Sequence, residues 1–308
     1  MKGLELSFRY YQEICRPELE KLFPGQIDRI AFGLVGDGSE CYGYDDEISQ
    51  DHDFGPRVML WVTQEDDTKF GAALSDAVSK LPKNFLGFRG VNTSQYGEGR
   101  EGVFAIPAFY KRFIGMGRPP ETIDEWRMIP EVNLSIATNG EVFNDPLGEF
   151  TKFRNTLNAG YPEDLRLKKM AARCMKMAQS GQYNYQRSIR RNEFVAAFMA
   201  AAEFTDAACS MIYLMNNRYK PFYKWMHRGL KALPVLGTQA FELLKILAAS
   251  GNHSDCADCI ETLSALIIDR LRKSGLTHSS SDFLLDHGPQ IQSRIQDEKL
   301  RSMPIWGE

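Results

Sequence analysis

A small mixed-sheet α/β domain over residues 1–158, followed by an all-α helical bundle over residues 159–308, is the architecture this sequence predicts. Three observations predict it. Two apolar strand-like runs, Ile30 to Val35 and Val58 to Val62, flank a loop rich in glycine and acid. After Gly160-Tyr161-Pro162 apolar residues recur at helical spacing with few strand signals. The charge is also divided: residues 1–55 carry twelve Asp/Glu against five Lys/Arg, whereas residues 165–231 carry thirteen Lys/Arg against three Asp/Glu.

In chain order, residues 5–22 read as an amphipathic helix that stops before Pro24-Gly25. A strand at 29–35, the acidic loop and a strand at 56–63 follow, and then a helix at 66–80 ends at Leu81-Pro82. The stretch 83–102, rich in Gly, Asn and Ser, reads as a long surface loop, and Val103 to Phe109 as a third strand. Asn139-Gly140 is a turn signal that suits either a hairpin or the end of a helix begun near Ile123. In the second half the predicted helices are 163–180, 183–217, 219–232, 237–250, 254–274 and 285–300.

Composition narrows the function classes. At 308 residues, with 43% hydrophobic and 25% charged residues and a net charge of −3, the chain suits an ordinary globular protein. The start, Met1-Lys2-Gly3-Leu4-Glu5, lacks the apolar core of a signal peptide, and six scattered cysteines suit a reducing cytoplasm. The apolar run from Phe194 to Leu214 is interrupted by Glu203 and Asp206, which predicts a buried helix of a soluble protein and no membrane partner. His253-x-x-Cys256-x-x-Cys259 lacks a fourth zinc ligand, so its cysteines read as small core residues.

The chemistry concentrates in Gly38-Ser39-Glu40, ten further residues, then Asp51-His52-Asp53-Phe54. Carboxylates at i and i+2 of an extended chain point to one side. A Gly-Ser turn lets backbone amides and a hydroxyl approach a phosphate. Six acids between Glu40 and Asp53 repel one another unless a cation intervenes; with Mg²⁺ the same cluster bridges to phosphate oxygens. A calcium loop is excluded because Phe54 and Leu60 occupy the positions that need Gly and a bidentate Glu.

This pattern resembles the signature of the nucleotidyltransferase superfamily: Gly-Gly/Ser, a gap of roughly 9–13 residues, then Asp-x-Asp/Glu. The wider segment from Gly36 to Asp53 is similar to a bacterial nucleotidyltransferase-like family of unknown function. So are Trp126 with Ile129-Pro130-Glu131, Asn139 to Asp145, Gly181 to Arg187, Tyr219 to Trp225 and Asp286-His287-Gly288. The resemblance implies a Mg²⁺-dependent transferase that moves a nucleoside monophosphate, AMP first among them, from an NTP such as ATP to a hydroxyl-type acceptor. In it Asp51 and Asp53 hold the metal, and Gly38 and Ser39 cradle the phosphates.

Tyr183, Asn184, Arg187 and Arg191 are further candidates for nucleotide contact, read as the start of a helix opening after Gly181. Two positions depart from the superfamily pattern. Asp37 stands where a hydrophobic residue is usual, and the third strand contains no third carboxylate, Glu101 only preceding it. Three alternatives stay open: a nucleic-acid end-modifying enzyme, which the pI near 6.0 disfavours; a catalytically weak nucleotide sensor or interaction protein; and a metal-dependent phosphohydrolase. The acceptor is expected to be a small molecule, and the oligomeric state is unassigned.

Overall fold

A computed structural model describes residues 1–50, 54–90 and 99–308. The chain forms two compact units, Met1–Glu121 with Asn133–Ala159, and Thr122–Val132 with Gly160–Glu308. The first is a mixed α/β unit around a four-stranded sheet; the second holds helices joined by loops and no strand among its described residues.

In the sheet, β1 (Ala31–Leu34), β2 (Met59–Val62), β3 (Gly102–Ala105) and β4 (Glu141–Asn144) stand in the order β3-β2-β1-β4. Both central strands are buried along their whole length, which is why they read as continuous apolar runs. β1 pairs antiparallel with β2 and with β4, and β2 pairs parallel with β3. Strand alternation divides the core. Phe32, Leu60 and Val62 pack with Leu6, Tyr10, Tyr11, Cys15 and Leu19 of the helical segment 3–22. Trp61 stacks on Phe150, with ring centroids 3.9 Å apart, and meets Phe109 edge-on.

The predicted third strand is shorter than its apolar run suggests. β3 ends at Ala105, and Ile106–Ile114 is a helix with Pro107 in its first turn, where a missing N–H costs nothing. Asn139-Gly140 closes a helix, Glu131–Thr138, and opens β4; the helix Ile123–Met128 is separate, stopped before Pro130.

The second unit corrects another boundary. No helix ends at Gly181: the chain stays helical from Glu163–Met177 through a π-helical stretch, Ala178–Tyr185, into Gln186–Arg190. Gly181 serves close packing instead, since a Cβ there would lie 2.3 Å from the ring of Phe204. The predicted helix 285–300 resolves into short pieces, Gly288–Gln292 and Glu298–Ser302. Phe194–Met215 is long and apolar enough to cross a membrane by length and composition alone. From Phe204 onward most of its residues are buried inside the unit. Cys256 and Cys259 are buried free thiols in the helix His253–Lys273.

Candidate functional site

The topology gathers several strand ends at one edge of the sheet. β1 ends there at Leu34, opposite Glu141, the first residue of β4. Gly33 of β1 stands opposite Met59, the first residue of β2, and Met59 stands opposite Gly102, the first residue of β3. The glycine loop after β1, Arg57 before β2, Glu101 before β3 and Glu141 on β4 therefore share this end. Asp51 and Asp53 lie in the connection from β1 to β2 and outside the described residues.

The loop Gly36-Asp37-Gly38-Ser39 has a backbone that few other sequences could adopt. Gly36 and Gly38 have φ of +123° and +128°, a region open to glycine and strained for L side chains. Ser39 then leads into a 3₁₀ turn, Glu40–Tyr42, its carbonyl accepting from the amides of Tyr42 and Tyr44. The amides of Asp37, Gly38 and Ser39 donate to no group among the described residues, so they remain open to an anion. Gly38 and Ser39 are themselves half-buried.

Two devices fix this loop. The first is Asn139, whose side chain accepts from the Gly36 amide and donates to the Gly36 carbonyl, both at 2.8 Å. Gly140 completes the clamp: its amide donates to the Cys41 carbonyl at 2.7 Å, and Arg154 donates to its own carbonyl at 3.0 Å. The second device is a buried ion pair between Glu40 and Arg57. The Glu40 carboxylate lies directly beneath Gly38, where a Cβ would come within 2.4 Å of it. Burial, reinforced by the Arg100 charge, pulls the Arg57 guanidinium down to about 10 despite the opposing influence of Glu101 and Asp37. Both partners are thus desolvated to hold the chain on either side of the loop that carries Asp51 and Asp53.

Asp45, also buried, accepts from the Gly3 amide at 2.8 Å and pairs with Lys2, so one of the six acids is tied to the first helix. Tyr42 bonds Ser135 at 3.0 Å. Glu101 is exposed and shares with Arg57 the lining of a cavity of 230 Å³ that also includes Tyr10, Ser75 and Lys83. Among the described residues no three His, Cys, Asp or Glu side chains cluster as a metal site.

The remaining predicted residues belong to the second unit. Tyr183 is half-exposed, and the Arg187 guanidinium lies 4.6 Å from its ring centroid, as one helical turn permits. Asn184 is partly buried and Arg191 exposed. Because helix continues through Gly181, the free amides expected at 182–184 are absent, and only the side chains remain for contact. Glu203, in the helix expected to be buried, is exposed. Sequence reasoning passed over Asn139 as a clamp and Arg57 altogether. Arg57 did carry a signal, a lone cation between the acidic loop and an apolar strand.

Residues 126–226 match the model of a domain of unknown function, DUF4037. Among solved structures the chain is similar to a nucleotidyltransferase-like protein from Exiguobacterium sibiricum, with 10% identity and a TM-score of 0.38. The likeness covers 85% of this chain and 77% of that one. No curated protein matches the sequence.

Proposed function

We propose that the chain is a Mg²⁺-dependent nucleotidyltransferase that moves a nucleoside monophosphate, AMP first among them, from an NTP to a hydroxyl-type group on a small acceptor. One observation carries the reading. The glycine loop with open amides sits at the same sheet end as Arg57 and Glu101, in the strand–loop–strand segment that contains Asp51-x-Asp53. Two carboxylates at i and i+2 make a hard-oxygen donor set of the kind Mg²⁺ takes. Asp51 and Asp53 would hold that ion, which supplies charge neutralisation on the polyphosphate.

The chain's own residues do the rest. The amides of Gly38 and Ser39 receive phosphate oxygens, and the Ser39 hydroxyl orients them. Arg57, neutralised by Glu40, positions the loop rather than touching substrate. Glu101 takes the part of the missing third carboxylate: it flanks the strand next to β2 and is exposed enough to accept the acceptor's proton. Attack in line on the α-phosphorus forms the new P–O bond as the bond to pyrophosphate breaks; positioning and charge carry most of the rate.

The test is pyrophosphate release from each NTP with Mg²⁺ and a metabolite extract as acceptor. Asp51→Asn/Asp53→Asn is expected to reduce release by at least about 100-fold. Release that survives the double substitution sinks the proposal. One feature favours a second reading: β3 itself holds no acid. A nucleotide sensor would bind NTP tightly and release no pyrophosphate with any acceptor fraction.

A further inference from the structure

The first half of the helix Phe194–Met215 presents an apolar stripe to solvent. Phe194, Val195, Phe198 and Met199 are 55%, 79%, 73% and 61% exposed, and Ala202 one turn on is exposed as well. Their spacing of three, four and one places them on one side of the helix, while Ala197, Ala200 and Phe204 on the other side are buried in the second unit. Isolated exposed apolar residues are ordinary, but a contiguous stripe of two aromatics, a valine and a methionine marks an interaction surface.

Charge says what covers it. At the N-terminal end of the stripe stand Arg190 and Arg191, followed by Glu193, all exposed and together net positive; at the other end stand Glu203 and Asp206, also exposed. Arg191 and Glu203 form no ion pair with any described residue, and Asp206 pairs with Lys220 while staying 54% exposed. A surface that is positive at one end, apolar in the middle and negative at the other is complementary to itself turned end for end. This is the condition for a two-fold interface.

We infer that this face is where a second copy of the chain docks, the two Phe194–Met215 helices packing antiparallel about an axis beside Phe198. In that arrangement Phe198 lies against Phe198 and Met199 of the second copy, and Phe194 against its Ala202. The Arg190-Arg191 corner of each meets the Glu203–Asp206 turn of the other. One helix face is a small interface, so the dimer forms in the concentration-dependent, micromolar class. The inference is independent of the proposed activity, since it uses no residue of the glycine loop or the acidic pair.

Sedimentation velocity of the full chain between about 1 and 100 μM tests it. A shift from monomer to dimer over that range is expected, and Phe198→Glu, at an exposed position, should weaken association at least tenfold with unchanged circular dichroism. Charge reversal provides the sharper reading. Arg191→Glu and Glu203→Lys each weaken self-association, and mixing the two variants restores a heterodimer because opposite charges again meet across the axis. A chain that stays monomeric throughout, or a dimer indifferent to Phe198→Glu, overturns the inference, as does a mixture that recovers nothing. A monomer that instead co-sediments with phosphatidylcholine–phosphatidylserine vesicles, and loses this with Phe198→Glu, also overturns it and assigns the stripe to a lipid surface.

Discussion

At Gly140 the chain tolerates no side chain. Its φ is +66°, and a Cβ would approach the Leu34 carbonyl oxygen to 2.0 Å, where β1 ends and the glycine loop begins. Gly140→Ala is therefore expected to cost roughly 2–4 kcal/mol by urea unfolding, from backbone strain and the displaced strand end. Gly25→Ala, with nothing within 4 Å of its would-be Cβ, is the control and should stay within about 0.5 kcal/mol of wild type. The Glu40–Arg57 pair belongs to the same scale. Removing one member leaves the other charged and buried, so Glu40→Gln or Arg57→Met should each lose roughly 3–5 kcal/mol. The double replacement should lose less than the sum, which a double-mutant cycle measures directly.

Among the elements, the connection between Glu131–Thr138 and β4 does more than turn the chain. Asn139 bonds both polar groups of Gly36 across 103 residues of sequence, acting as a short extra strand edge for the loop. Asn139→Ala should cost roughly 1–3 kcal/mol of stability and, at temperatures where the variant is folded, raise the NTP dissociation constant about tenfold by isothermal titration. β3 poses the catalytic question. If Glu101 at its head deprotonates the acceptor, Glu101→Gln lowers the rate of pyrophosphate release and leaves NTP binding intact. An unchanged rate removes Glu101 from the mechanism. The turn signal at Asn139-Gly140 was legible in sequence, and so were the strands on either side of the acidic loop. The clamp was not, because local pattern says nothing about a partner a hundred residues away. The helix boundary at Gly181 failed for a related reason: a glycine in a helical run signals an end only when no neighbouring helix needs the space, and here Phe204 does.

For the molecule as a whole, acid stability should be governed in part by a charge network in the second unit. Arg173, buried, donates to Ser210 at 2.8 Å and pairs with Glu308; Lys169 bonds Glu308 at 3.1 Å, and Ser210 bonds Glu131 at 3.0 Å. Burial alone would raise the Glu308 carboxyl, but the Arg173 and Lys169 charges prevail and hold it at about 2. A carboxylate depressed in the folded state stabilises above its ordinary value of 4.5, and that contribution drains as pH falls toward 2. Thermal melts should therefore show wild type losing its advantage over Glu308→Gln between about pH 4.5 and 2, with the two converging at the acid end. Equal pH slopes would mean that the network contributes nothing.

By itself the sequence determined the order of parts: a strand, a Gly-Ser turn, an acidic loop and a second strand, then helices after Gly160. These follow from residue type and spacing along the chain, which is all that periodicity and turn chemistry record. The tertiary structure decided the rest. It brought Glu101 and Glu141 to the strand end where the glycine loop lies, turned Arg57 and Glu40 inward against each other, and buried the second half of Phe194–Met215 while leaving Phe198 in water. Strand order and helix burial depend on which distant surfaces meet, and an apolar helix carries no local mark of which of its halves will be covered.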